Sequence, residues 1–173
     1  MTDLARYIRD VPDFPRKGIL FKDITPLLQA PEALAASVKA LAERTTRPEA
    51  VVAIESRGFV FGTGLALHWA VPLIPARKFG KLPGRTVRQV YSLEYGEDTL
   101  EIHADALGAG QRVVVVDDLL ATGGTARATG QLVAQLGATV QAMLFLIELR
   151  GLGGRAAIEP VPVESLLTYD VAE

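Results

Sequence analysis

Two adjacent carboxylates, Asp117 and Asp118, follow a run of four valines, and a Thr-Gly-Gly-Thr turn begins four residues later. The glycines allow positive φ angles and let the backbone approach a ligand closely. The turn leads into a predicted helix, whose unpaired N–H groups and dipole favour an anion. A phosphate site is therefore predicted, with a plain strand–helix connection capped by threonine as the alternative. Its residues are Ala121, Thr122, Gly123, Gly124 and Thr125.

The acidic pair needs a different ligand, because a carboxylate beside a bound phosphate would repel it. One sugar's length from the phosphate, Asp117 and Asp118 can accept hydrogen bonds from ribose hydroxyls or hold Mg²⁺ through water. Two buried carboxylates without such a role would be costly unless they were paired. No lysine follows the glycines, so the turn is not a Walker-type loop. The whole stretch predicts a site for a ribose 5-phosphate.

Cationic residues form a second group of candidates. Ser56 and Arg57 follow a short apolar strand, in a turn that can offer backbone amides to an anion. Arg77, Lys78 and Lys81 form a local cluster. Fixed cations of this kind would bind an anion and stabilise negative charge that develops on a leaving group. The alternatives are a surface ion pair for Arg57 and a solvated basic loop for the cluster.

Short apolar strands alternate with helices along the chain, which predicts an α/β fold with a mainly parallel sheet and helices on both faces. A hairpin is predicted around 95–98, and residues 79–89 are predicted to be a loop. Ligands of such sheets bind beyond the carboxyl ends of the strands, so we expect the candidates to share one edge. The other predicted strands are 50–54, 72–76, 112–117, 140–149 and 164–170, and the helices are 31–44, 59–69 and 125–136.

Composition limits the class of protein. The chain has 173 residues, 49% of them hydrophobic, and a net charge of −2, which together predict one globular domain over 1–173. A nucleic-acid-coating protein would normally be basic. Cysteine is absent, which excludes disulfides and a cysteine nucleophile. A charged N-terminus and the lack of any apolar run of ~18 residues predict a cytoplasmic protein with neither membrane nor nucleic acid as partner.

The stretch from Asp117 to Thr125 resembles the signature of type I phosphoribosyltransferases, which bind 5-phosphoribosyl-1-diphosphate (PRPP). The resemblance implies that the acidic pair holds the ribose diol and that the turn holds the 5-phosphate. It implies a pyrophosphate contact for the turn at Ser56 and Arg57, with Arg57 as a catalytic candidate. It also implies Mg²⁺ bound mainly through the diphosphate, with no direct protein ligand certain, and a homodimer in which a loop cation reaches the neighbouring site.

Five further stretches, in the same order, resemble the members of that family that act on adenine. They are VPDFPRKGILFKDITPLL, ESRGFVFG, RKFGKLPG, YSLEYG and LIELRGLGGR. The resemblance implies a purine salvage reaction in which adenine and PRPP give AMP and pyrophosphate. It implies that Phe21 stacks on the base, that the backbone of Leu20 and Lys22 reads its edge, and that Leu149 covers its other face.

Glu94 is the second catalytic candidate, because the resemblance places it in a hairpin loop that closes over the reacting centre. A carboxylate there would stabilise a positively charged ribosyl group or manage the purine proton. Closure would also exclude water. We therefore expect a flexible active-site loop over about 79–98, together with an N-terminal hood over 1–30.

Two other functions are compatible with these residues. One is a regulator that senses PRPP or a purine without reacting, although such a protein tends to carry an added DNA-binding domain or a basic face. The other is the same reaction on an oxopurine, which generally requires a lysine side chain, and Lys22 is the candidate. The stretch 151–156 matches a dinucleotide fingerprint, but Pro160 and Pro162 leave no room for the long helix it requires.

Overall fold

A computed structural model describes residues 2–92 and 96–171 of the protein. None of the helices within these ranges is long and apolar enough to cross a membrane. In chain order the elements are a 3-10 helix (Leu4–Tyr7), β1 (Arg9–Pro12), β2 (Leu20–Asp23), α1 (Thr25–Gln29), α2 (Pro31–Ala42), β3 (Ala50–Ile54), α3 (Gly58–Trp69), β4 (Leu73–Lys78), β5 (Thr86–Ser92), β6 (Glu97–His103), β7 (Arg112–Leu120), α4 (Gly124–Gln135), β8 (Thr139–Arg150), α5 (Gly154–Ile158) and β9 (Val163–Asp170).

The larger sheet has seven strands in the order β5-β6-β4-β3-β7-β8-β9. Strands β4, β3, β7, β8 and β9 run parallel, whereas β6 pairs antiparallel with both β4 and β5. The mainly parallel α/β sheet predicted from the sequence is therefore confirmed. Strands β1 and β2 form a separate antiparallel pair inside the segment expected to be a hood.

The middle of each central strand is apolar because helices cover both faces of the sheet. In β7, Val113 and Val115 belong to one hydrophobic cluster and Val114 and Val116 to the other. Side chains of successive strand residues point to opposite faces, so an uninterrupted valine run serves both clusters. Helix α4 packs on the first face and helices α2 and α3 on the second.

The prediction of a loop over 79–89 is wrong in its second half, where β5 begins at Thr86. Val87 and Tyr91 face the core, but Arg88 and Gln89 break up the apolar pattern. Strand β5 is an edge strand, and edge strands commonly carry charged residues that discourage pairing with other chains. The basic residues were therefore compatible with a strand, and composition alone did not distinguish it from a loop.

Candidate active site

The candidates from three strands meet at the carboxyl edge of the sheet. The turn containing Ser56 and Arg57 follows β3, and β4 ends at Lys78. Strand β7 was predicted to end at Asp117, but it continues to Leu120. The reason is that Leu119 and Leu120 keep their backbone pairing with β8. The acidic pair therefore sits within a rigid strand, which holds both carboxylates in fixed positions.

The acidic pair is electrostatically unfavourable without a ligand. Asp118 is only 3% exposed, and its Oδ2 has no hydrogen-bond partner, although Arg57 Nε lies 3.1 Å away. Burial raises the pKa of both carboxyls. The charge of Asp118 raises the pKa of Asp117 further, whereas Arg57 opposes the shift at Asp118. A ribose hydroxyl or a cation that reached this site would relieve the cost.

Arg57 lies between two of the predicted subsites. Its guanidinium carbon is 5.3 Å from the centroid of the Phe21 ring, and its Nε faces Asp118. The next residue, Gly58, begins α3 directly on the acidic pair, since an added Cβ would lie 2.9 Å from Asp117 Oδ1 and 2.8 Å from the carbonyl oxygen of Val116. The close approach of Gly58 to the acidic pair was not predicted from the sequence, although a glycine beside the candidate arginine was a usable signal.

The Thr-Gly-Gly-Thr turn, Thr122 to Thr125, leads into α4 as predicted, with Gly123 at φ +81° immediately before the helix. It is named the phosphate turn here, after its predicted ligand. Together with Asp117, Leu119, Leu120 and Phe145 it lines a cavity of about 100 Å³. Tyr91 of β5 lies against the turn, since an added Cβ on Gly124 would lie 3.7 Å from the Tyr91 ring and 3.5 Å from the carbonyl oxygen of Ser92. The turn, the acidic pair and the β5–β6 hairpin are thus brought together.

The cations of the cluster differ in how far they are already paired. Arg77 Nε donates to Glu55 Oε2 at 3.1 Å, and Lys78 Nζ lies 3.0 Å from Asp98. Burial alone would raise the pKa of Glu55, but the hydrogen bonds from Arg77 and from the Lys78 amide outweigh it and lower that pKa. Lys81 is exposed and makes no ion pair with any other residue in 2–92 or 96–171. Lys81 is therefore the cation of the cluster most available to an external anion.

The predicted base site lies on the β1–β2 ribbon. Phe21 packs edge-to-face against Phe14, with ring centroids 5.0 Å apart, and Leu20 beside it is half exposed. Lys22 is buried, donates from Nζ to Asp10 at 2.7 Å and lies over the ring of Tyr169.

Leu149 is the register partner of Tyr169 in the β8–β9 ladder, so it lies beside the residue whose ring packs on Lys22. Side chains alternate along a strand, so Phe21 and Lys22 point to opposite sides of β2. The Lys22 ammonium is consequently occupied on the far side from the stacking ring.

Glu94 lies outside the described residues, and its catalytic role stays a prediction. The described residues on either side, β5 and β6, pair in antiparallel register as far as Ser92 and Glu97.

Arg155, which the sequence analysis left without a role, supports the phosphate turn. Its Nη2 donates to Glu148 Oε2 at 2.6 Å, and its Nε donates to Oε1 at 3.1 Å. The pair holds α5, where an added Cβ on Gly154 would lie 2.1 Å from the carbonyl oxygen of Ala121. Helix α5 has only five residues, as expected for a stretch that does not bind a dinucleotide.

The phosphoribosyl transferase domain family matches residues 22–155 of this chain. The chain belongs to that family. The adenine phosphoribosyltransferase of Synechococcus sp. (strain CC9902) is 56% identical over 173 residues, covering 98% of both chains. The crystal structure of the adenine phosphoribosyltransferase from Thermoanaerobacter pseudethanolicus superposes with a TM-score of 0.94 at 47% identity, covering 96% of this chain and 98% of that one.

A third relative is the adenine phosphoribosyltransferase of Saccharomyces cerevisiae, crystallised with an imino-altritol bisphosphate and adenine. It has a TM-score of 0.88 and 40% identity, covering 94% of this chain and 96% of that one. These matches confirm the predicted family, the type I phosphoribosyltransferase fold and the enzyme class, a pentosyl transferase.

We predict that Arg155→Met destabilises the phosphoribosyltransferase fold by about 1–3 kcal/mol at pH 7, because buried Glu148 loses charge-assisted hydrogen bonds. Arg155 lowers the pKa of Glu148 below its ordinary 4.5, so the pair stabilises the fold above that pH. The stabilisation is lost as the pH falls through the folded-state pKa. Denaturant unfolding at several pH values measures both effects.

The matched control is Arg112→Met, which removes an exposed ion pair with Glu49 at 3.7 Å. Surface pairs contribute about 0–1 kcal/mol, so its effect should be small at every pH. An Arg155→Met penalty that does not shrink at acidic pH would show that Glu148 is not the cause.

Proposed function

We propose that this phosphoribosyltransferase joins N9 of adenine to C1 of PRPP, forming AMP and releasing pyrophosphate in purine salvage. The observation that carries the proposal is the position of Arg57, between the Phe21 ring and the carboxylate of Asp118. One side chain thereby connects an aromatic platform for a base to a carboxylate pair for a ribose. The adenine named with the yeast relative supports the choice of base.

PRPP would be held at its two ends and at its ribose. The amides and hydroxyls of Ala121 to Thr125 bind the 5-phosphate at the start of α4, where unpaired N–H groups favour an anion. Asp117 and Asp118 accept hydrogen bonds from the ribose diol. Those bonds replace the missing hydrogen-bond partner of Asp118 Oδ2.

Adenine would be recognised without a charged side chain. Phe21 stacks on the ring, Leu149 covers the other face, and the backbone of Leu20 and Lys22 pairs with the base edge. The Lys22 ammonium is bound to Asp10 and packed on Tyr169. It is therefore not free to donate to the 6-oxo group of an oxopurine, which favours adenine.

The chain's own residues contribute positioning and electrostatics to the reaction. Arg57 and the backbone at Ser56 contact the diphosphate, and the cations Arg77, Lys78 and Lys81 stabilise its growing charge as the C1–O bond breaks. Glu94 acts near the ribose and base. Closure of the active-site loop over about 79–98 excludes water, which would otherwise hydrolyse PRPP.

Mg²⁺ fits this arrangement as an ion carried mainly by the diphosphate. The described residues contain no cluster of three or more groups that could hold a metal on their own. Asp117 and Asp118 supply hard oxygen donors, which suit Mg²⁺ reached through water. When bound, Mg²⁺ would neutralise part of the diphosphate charge.

A homodimer and a cytoplasmic location complete the proposal. Exposed apolar residues on one stretch of α3 and the adjoining start of β4 support a subunit contact, among them Val60, Leu67 and Leu73, with Leu67 77% exposed. In such a dimer a cation of the cluster would serve the neighbouring site. Light scattering of the purified protein should give the mass of two chains, and the mass of one chain would refute the dimer.

The first test of the function is a product assay with Mg²⁺, PRPP and a panel of adenine, hypoxanthine, guanine and xanthine. We expect AMP from adenine and no product from the other three bases. Product from an oxopurine would overturn the base site while keeping the PRPP site. Binding of PRPP without any product would point instead to a regulator.

We predict that Asp117→Asn lowers turnover by about 100-fold or more, because a preorganised acceptor for the ribose is lost. The same change should leave the free energy of unfolding unchanged or higher at pH 7. The fold raises the pKa of Asp117 well above 3.8, so the charged form costs stability as the pH rises through the folded-state pKa. Steady-state kinetics and denaturant unfolding measure the two effects.

Asp105→Asn, at an exposed position outside the site, is the control and should change neither quantity. Near-normal turnover of Asp117→Asn would refute the assignment of Asp117 to the ribose. A large loss of stability would contradict the unfavourable electrostatics of the acidic pair.

A further inference from the structure

The segment between β4 and β5, residues 79–85, carries Lys81 and is here named the basic loop. The sequence analysis expected it to be flexible. In the structure the loop is attached along β6 through the carboxylate of Glu101, which is 1% exposed. Glu101 lies at the centre of three strands, in register with Arg77 of β4 and Arg88 of β5.

Both oxygens of Glu101 are used. Oε1 accepts hydrogen bonds from the backbone amides of Gly80 at 3.0 Å and Leu82 at 3.2 Å. Oε2 accepts from Thr86 Oγ1 at 3.1 Å and lies 3.4 Å from Arg88 Nε. All four partners are donors, so the ionised carboxylate suits the site fully. Burial alone would raise the pKa of Glu101, but these hydrogen bonds and the charge of Arg88 outweigh it and lower that pKa.

Neighbouring residues of β6 hold the rest of the basic loop. The carbonyl of Thr99 accepts from the Phe79 amide at 2.9 Å, and His103 Nε2 lies 2.8 Å from the carbonyl oxygen of Pro83. The Arg88 guanidinium stacks on the Phe79 ring at 4.4 Å. The side chain of Glu101 accepts hydrogen bonds from two amides of the basic loop. Among the described residues of β6, no other side chain binds more than one amide of this loop.

The two amides that Glu101 binds belong to the residues on either side of Lys81. The carbonyl of Lys81 itself accepts from Arg77 Nη1 at 3.3 Å. The backbone that carries the unpaired cation is therefore fixed on both sides, while its ammonium stays exposed. A cation on an ordered backbone loses less conformational entropy when it binds an anion than one on a free loop.

A buried carboxylate is costly unless its oxygens are paired, so its partners explain why it is found at this position. Replacing a buried ion pair by apolar residues of similar size is often neutral or stabilising. An apolar side chain would pack on the sheet, but it would leave the Gly80 and Leu82 amides without a partner. Glu101 therefore stabilises one conformation of the basic loop.

We propose that Glu101 is a positioning residue for the diphosphate of PRPP, which fixes the basic loop so that Lys81 is presented to that diphosphate. Glu101 touches no substrate and acts through Lys81. The inference rests on the proposed function, because it assigns the anion that Lys81 meets.

The test is Glu101→Gln, which keeps the size of the side chain but turns part of the acceptor into a donor. Hydrogen exchange followed by mass spectrometry should show faster exchange in the peptide spanning 79–86. Calorimetry with pyrophosphate and Mg²⁺ should show a dissociation constant raised about tenfold, equivalent to about 1.4 kcal/mol. KM for PRPP should rise similarly, whereas KM for adenine should stay within about twofold.

A double-mutant cycle with Lys81→Ala separates positioning from general destabilisation. Once Lys81 is absent, Glu101→Gln should weaken pyrophosphate binding little further, because the two changes remove one interaction. Additive losses would overturn the proposal. Glu49→Gln is the matched control, since Glu49 also accepts a backbone amide, that of Arg112 at 2.8 Å, away from the basic loop.

If Glu101→Gln does not fold, Thr86→Val removes a single contact to the same carboxylate and should shift exchange and pyrophosphate affinity in the same direction by a smaller factor. Wild-type protein that binds neither PRPP nor pyrophosphate would refute the proposed function itself. Normal wild-type binding combined with unchanged binding by the variants would refute the role of Glu101 alone.

Discussion

The acidic pair in the carboxyl-terminal half of β7 is the constraint on which the rest of the site depends. Two carboxylates on adjacent residues of a central strand are unfavourable, and burial raises the pKa of both. The surrounding structure compensates only in part, through Arg57. What remains is an unfavourable charge density that a polar ligand would relieve, and the Thr-Gly-Gly-Thr turn at the end of the same strand lies close to it.

Opposite charges from different elements are paired all around this edge of the sheet. Glu55 binds Arg77, Asp98 binds Lys78, and Glu148 binds Arg155. Each pair fixes a strand end or a turn while leaving the net charge near neutral. Cations that are paired in this way can be held in place before any anion arrives. An incoming anion must then compete with the carboxylate to which each cation is already bound.

Local patterns were sufficient to predict the parts of the site that lie on one continuous stretch. The valine run, the acidic pair and the Thr-Gly-Gly-Thr turn are neighbours in sequence, and the structure keeps them together. Sequence alone did not identify Arg155, Glu101 or Gly58, because their roles depend on partners that only the fold brings near. Strand β5 was missed for a related reason, since the charges of an edge strand resemble those of a loop.

Helix α5 contacts the phosphate turn mainly through its backbone. At Gly154 any side chain would collide with the carbonyl oxygen of Ala121, and at Gly123 one would collide with the carbonyl oxygen of Gly154. The two glycines are far apart in sequence, yet neither can change without disturbing the other's loop. A natural variant at Gly154 should accordingly be interpreted with the ligand-binding residues, even though it lies in a short peripheral helix.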